Sequence, residues 1–142
     1  MRLKRPDPAV LGRVYRGLGT LYHERRNYLE AFKFYQLALE RALSKRLRGW
    51  IQDCLGSLWA SQGDYERALE AYRKAKEIEE GLRGRDSAVA GIVSNMAKVY
   101  AAKGDFKRAE EHFETALRRA RMARDRSLEG RVLGNLGVLA YG

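Results

Sequence analysis

The sequence predicts an all-α solenoid of antiparallel helix pairs, and three observations carry that prediction. The first is an internal repeat: Leu18-Gly19-x-x-Tyr22 returns as Leu55-Gly56-x-x-Trp59, Met96-Ala97-x-x-Tyr100 and Leu136-Gly137-x-x-Ala140, at spacings of 37, 41 and 40 residues. The second is a downstream marker in the same register. Ala31-x-x-x-Tyr35-x-x-Ala38 returns as Ala68-x-x-x-Tyr72-x-x-Ala75 and Ala109-x-x-x-Phe113-x-x-Ala116. The third is composition: 142 residues that are 45% hydrophobic and 32% charged with only 2 prolines suit a folded helical chain and exclude a disordered or low-complexity one.

Taken in order, the pattern predicts seven helices over about 8–25, 28–46, 49–62, 65–82, 87–103, 106–124 and 128–141. Asp7-Pro8 supplies a cap and a first-turn proline for the first helix. Arg26-Asn27-Tyr28, Gly63-Asp64-Tyr65 and Gly104-Asp105-Phe106 each join a turn-forming or capping residue to an aromatic that opens the next helix. Gly81 and Gly84 stop the fourth helix, and Asp86-Ser87 caps the fifth. The stretch 118–126 carries no evident break. Gly19, Gly56, Ala97 and Gly137 lie inside helices, where glycine costs helix propensity, so they mark close helix approaches with aromatics beside them. Ala38, Ala75 and Ala116 should be buried at the same contacts.

At these residues the chain resembles the tetratricopeptide repeat (TPR) family, matching three full units and the first helix of a fourth: about 12–48, 49–89, 90–129 and 130–142. The spacing resembles the lengthened, ~40-residue subgroup seen in kinesin light chains, cell-polarity scaffolds and bacterial regulators. Gln52 and Val93 depart from the family's aromatic, Met96-Ala97 from its Leu-Gly, and the closing proline is absent. The resemblance implies a right-handed superhelix and a non-enzymatic protein-interaction adaptor whose first helices line a concave groove.

Subtracting the packing positions Val14, Tyr15, Leu18, Leu21 and Tyr22 leaves Arg13, Arg16, Thr20 and His23 on the open stripe of the first unit. The later units present Trp50, Asp53, Cys54 and Ser57; Ser94, Asn95, Lys98 and Ala101; and Arg131, Gly134, Asn135 and Val138. The candidate peptide-binding residues are therefore Arg13, Arg16, Trp50, Asn95, Lys98, Arg131 and Asn135. Their amides suit a peptide backbone and their cations suit acidic side chains. The resemblance places Asn95 and Asn135 where groove asparagines hold a ligand's backbone, with amides free. The family's two-carboxylate clamp is not expected, because Thr20 and Cys54 replace two of its members. Trp50 is an anchor candidate by position, whereas the rarity of exposed tryptophan favours its packing across residues 44–49 onto the preceding helix.

The formal charge of +10 raises nucleic acid as an alternative partner. It is uneven: +8 over residues 1–50, −1 over 51–105 and +3 over 106–142. The basic runs Arg118–Arg126 and Lys45-Arg46-x-Arg48 lack interleaved aromatics and are expected at the carboxyl ends of second helices, where cations offset the dipole. A self-associating module of a larger regulatory protein is the other alternative. Val132, Leu133, Leu136, Leu139 and Tyr141 spread around the last helix and favour a homo-oligomer through it. His23-Glu24 lacks a second histidine one turn on, and Cys54 is the only cysteine and belongs to a helix interior. No catalytic residue, metal site, cofactor or phosphate loop is expected. Apolar runs are far shorter than a membrane span, and Pro6-Asp7-Pro8, Arg13 and Arg16 interrupt any signal-like core after Arg2, Lys4 and Arg5, so the expected setting is cytoplasmic.

Overall fold

A computed structural model of the chain describes residues 7–141, with side-chain surroundings for all of these except Pro8, Ala9 and Tyr141. The basic start at Arg2, Lys4 and Arg5, Pro6 and the Tyr141 side chain lie outside that description. Seven helices follow in order: α1 Pro8–Glu24, α2 Tyr28–Arg41, α3 Lys45–Ser61, α4 Tyr65–Glu80, α5 Asp86–Ala102, α6 Phe106–Met122 and α7 Arg126–Tyr141. α1 packs on α2, α3 on α4 and α5 on α6, and successive pairs stack through α2–α3, α4–α5 and α6–α7. The first helices also touch one another, α1 to α3, α3 to α5 and α5 to α7, which makes them one continuous layer of a helical-repeat solenoid.

One joint recurs. Arg26, Gly63, Gly104 and Arg124 take left-handed φ angles of 60°, 77°, 85° and 55°. The next residue's amide bonds back across the turn: Asn27 to the Tyr22 carbonyl, Asp64 to Trp59, Asp105 to Tyr100 and Asp125 to Ala120, at 2.9–3.0 Å. The Asp64, Asp105 and Asp125 carboxylates then cap the following helices by accepting from the amides of Arg67, Arg108 and Leu128. The break that residues 118–126 did not reveal is this joint with arginine in the glycine place. α6 therefore ends at Met122 rather than 124, and α7 begins at Arg126.

The α2–α3 boundary also differs from the expected one. α2 stops at Arg41, Ala42 is extended, and the Ser44 hydroxyl accepts from the Leu47 amide, so α3 starts four residues earlier than its pattern suggested. Lys45, Arg46 and Arg48 consequently open α3, at the positive end of its dipole, instead of closing α2. Asp86 and Ser87 do not cap α5. They reach onward, Ser87 donating to Asp125 and Asp86 accepting from Arg119.

The core follows the repeat. Ala31, Ala38, Ala68, Ala75, Ala109, Ala116 and Ala97 are fully buried, as are Tyr35, Tyr72 and Phe113 beside them. A Cβ added to Gly19 would lie 2.6 Å from the Tyr35 ring, and one on Gly56 the same distance from the Tyr72 ring. Val14 and Leu21, expected to pack, are instead 49% and 42% exposed. Their counterparts Ile51, Ile92 and Val132, and Leu58 and Val99, are buried where α3, α5 and α7 meet the preceding pair. Among the described residues no pair precedes α1. Val132, expected on a self-association surface, is likewise fully buried in the chain's own core, and Leu136 and Leu139 pack against it; of the members of that set whose side chains are described, only Leu133 is largely exposed.

Gly56→Ala should lower stability by about 1–3 kcal/mol in urea unfolding, because the new methyl overpacks the Tyr72 ring despite alanine's better helix propensity. Gly17→Ala, with open space around it, should raise stability by about 0.5–1 kcal/mol. A stabilising Gly56→Ala would mean that the close approach is not tight.

Candidate functional site

The first-helix layer curves around a groove of about 1260 Å³. Its rungs follow the repeat: Arg13 and Arg16 from α1, Trp50 and Asp53 from α3, Gly91, Ser94, Asn95 and Lys98 from α5, and Arg131, Gly134, Asn135 and Val138 from α7. All seven candidate peptide-binding residues line it. Thr20, His23, Cys54, Ser57 and Ala101, expected on the same stripe, do not. The His23 ring is 2.8 Å from the Ser61 hydroxyl on α3, a polar contact between the first two pairs, and Thr20 is 3.0 Å from the Tyr35 hydroxyl within the first pair. Cys54 is partly buried, and burial, with the Asp53 charge adding to it, pushes its thiol up and away from reactivity.

Trp50 does not pack back onto α2. Its ring is half exposed in the groove, with the Arg16 guanidinium stacked 3.5 Å from the ring centroid. The Arg16 Nε is buried with no acceptor among the described residues. Asn95 is also not free as expected, since its amide donates to Asp53 at 3.3 Å. Asp53 is held above the ordinary carboxylate range by burial; the Asn95 hydrogen bond opposes this and the Glu79 charge reinforces it.

Sequence reasoning missed Arg46, Glu79 and Arg85. Glu79 is only 3% exposed and forms an ion pair with Arg85 at 2.7 Å on the groove floor. It stands where the other second-helix positions have Ala42 and Ala120, both buried, and a glutamate in an alanine register was the available signal. A Cβ on Gly49 would come within 3.0 Å of the Glu79 carboxylate, so glycine makes room for it. Arg46 escaped because α3 was expected to start after it. The groove thus holds six cations, Arg13, Arg16, Arg46, Arg85, Lys98 and Arg131, against two carboxylates.

Part of the outer basic runs is spent on the fold. Arg119 binds Glu80 and Asp86, Arg121 binds Glu129, and Arg48 donates to the Ala42 carbonyl. Among the described residues no cluster of three or more His, Cys, Asp or Glu could hold a metal ion, and no helix is long and apolar enough to cross a membrane.

Stacked helix pairs around a lined concave face define the class: a helical-repeat solenoid. The chain belongs to the tetratricopeptide repeat family, whose profile matches residues 10–80, 47–121 and 88–142. It is 27% identical over 133 residues to kinesin light chain-related 1 of Arabidopsis thaliana, covering 88% of this chain and 22% of that protein. It is 33% identical over 93 residues to Tonsoku-like protein of Mus musculus, covering 64% of this chain and 7% of that one. Among solved structures, BtubC (BKLC) from P. vanneervenii superposes with a TM-score of 0.83 at 27% identity, over 97% of this chain and 58% of that one. Apo RapI superposes at 0.84 with 18% identity, over 96% and 50%, a likeness of fold. The chain spans only a part of each of these proteins.

Because the Asp53 carboxyl binds its proton more tightly in the folded chain than in the unfolded one, its contribution to stability falls as pH rises from about 3.8 through the raised folded value. Asp53→Asn should therefore stabilise the protein at pH 7 and have little effect at pH 3, measured by urea unfolding at both. Equal effects at the two pH values would show that the buried charge is not the cause.

Proposed function

We propose that the protein is a non-enzymatic adaptor that binds an extended, acidic peptide segment of a partner protein along the concave groove. The observation that carries this reading is the groove's six cations against two carboxylates, with one pair, Arg85 and Glu79, already mutually satisfied. Lys98, Arg13 and Arg131 offer exposed charge to peptide carboxylates, and the buried, unpaired Nε of Arg16 is a donor in want of an acceptor. Trp50 supplies an apolar wall half open to solvent, and Asn135 and the amide oxygen of Asn95 reach toward a backbone in β or polyproline form. Cys54, without a second cysteine, fits a reducing cytoplasmic setting.

Nucleic acid is the weaker reading because Arg119 and Arg121 of the outer basic runs are held in ion pairs and neither run carries interleaved aromatics for base stacking. Lys98→Glu with Arg131→Glu, both exposed, should weaken binding of a labelled poly-acidic decapeptide at least tenfold while leaving the thermal midpoint nearly unchanged. Affinity for random RNA should be low and fall steeply with salt. Peptide binding that ignores the double substitution, or tighter binding of RNA than of peptide at 150 mM salt, would defeat the reading.

A further inference from the structure

We infer that the groove carries a notch over Gly91 that takes one tyrosine side chain of the bound peptide, at a break in its run of acids. The inference rests on the groove reading above and specifies one residue of that segment. Arg13, Trp50, Gly91 and Arg131 hold one register in the four first helices, 37, 41 and 40 residues apart. Three of them raise long or broad side chains into the groove. The fourth raises none, and a Cβ at Gly91 would meet nothing within 4 Å. Gly19, Gly56 and Gly49, by contrast, face a ring or a carboxylate 2.6–3.0 Å from that point. Glycine at position 91 costs helix propensity without easing any contact inside the chain, so the space above it is open to a ligand. Trp50 is its neighbour in that register, on the adjoining helix α3. Arg16 covers the indole from α1, and the ring is still half exposed.

Polar groups at the foot of the notch define the tip of the side chain that enters it. Ser94 and Asn95 follow Gly91 by three and four residues, so they share its face of α5, and both line the groove. Ser94 is only 5% exposed, and its hydroxyl has no hydrogen-bond partner among the described residues. Thr20, Ser61 and Thr115 each bond the carbonyl four residues back, whereas Ser94 does not. A hydroxyl enclosed to that degree and left unbonded calls for a partner from outside the chain. Asn95 spends an amide N–H on Asp53 at 3.3 Å, which leaves its Oδ1 as an acceptor. One phenolic hydroxyl serves both, donating to Asn95 Oδ1 and accepting from Ser94 Oγ. A carboxylate here would meet the Asp53 charge, and a basic side chain would enter a groove with six cations against two carboxylates. Phenylalanine would lie along the exposed indole but leave Ser94 unbonded, and serine carries the hydroxyl without the ring.

The probes are labelled acidic decapeptides that differ only at the fifth residue, which is tyrosine, phenylalanine, tryptophan, lysine or alanine, titrated into the full 142-residue chain. The tyrosine peptide should bind at least tenfold more tightly than the alanine peptide and at least threefold more tightly than the phenylalanine peptide. Ser94→Ala in the protein should erase the preference for tyrosine over phenylalanine while both keep their advantage over alanine. Gly91→Leu should fill the notch and bring the tyrosine and alanine peptides to equal affinity, with a thermal midpoint no lower than the parent's because leucine is the better helix former. Tightest binding of the lysine or tryptophan peptide, or a tyrosine preference that survives both substitutions, would overturn the notch. Equal binding of all five peptides that Lys98→Glu with Arg131→Glu still weakens tenfold would overturn the notch and leave the acidic groove standing. If none of the five binds, both readings fall.

Discussion

A ring lying against a helix position that has no side chain, or only a methyl, is the contact on which the rest of this structure depends. Tyr35 on Gly19 and Tyr72 on Gly56 draw two helices together at a distance that any larger residue would forbid. Because that distance is set by covalent geometry and not by a flexible side chain, each pair has nearly one way to close. Repetition of the same pair, with Phe113 serving the third, then orients every first helix alike and brings their remaining faces into a single concave layer. The groove is a by-product of those ring contacts, and its charged lining residues belong to neither core cluster.

That division explains the groove's electrostatics. Residues that build the solenoid are apolar and small, so the lining is free to carry charge, and the lining is where the chain tolerates unfavourable groups. Asp53 sits partly buried beside the Glu79 charge and is stabilised by one amide from Asn95. Arg16 covers Trp50 while its own Nε stays unsatisfied. Polar groups held away from water in this manner cost stability, and a fold with ample apolar contact elsewhere can sustain them. An acidic ligand would relieve the excess of cations in the same space.

The sequence made the repeat, the pairing of helices and the buried alanines legible because each depends on residues with few substitutes: glycine at a close approach, an aromatic beside it, alanine on the facing helix. It made the groove legible wherever helical angle alone decides, as at Arg13, Trp50, Asn95 and Arg131. Three things were hidden. The α2–α3 boundary turns on Ser44 accepting one backbone hydrogen bond, a local competition that a periodic pattern does not report. Arg26 and Arg124 occupy a left-handed turn that glycine fills elsewhere, at a backbone cost of about 1–2 kcal/mol that tertiary packing overrides. The exclusion of Thr20, His23, Cys54, Ser57 and Ala101 from the groove reflects contacts between different helices, most directly the 2.8 Å approach of His23 to Ser61, and angle along one helix says nothing about that.

The buried side chains fall into two clusters, one centred on α2 and α3 and the other running from α4 to α7, and the division passes through the middle of a helix pair. Trp59 touches both, with Phe32 5.3 Å from its ring and the Arg67 guanidinium 5.0 Å above it. Trp59 and the Tyr72 ring seated on Gly56 join the two clusters across the α3–α4 pair. The amino-terminal helices can open while the remainder stays folded, so backbone amides in α1 and α2 exchange with solvent by a local route and those in α5 and α6 by a larger one. The two ends of the groove accordingly rest on parts of the protein with different lifetimes, and a bound segment lying across all four first helices would fasten the shorter-lived part to the longer-lived one.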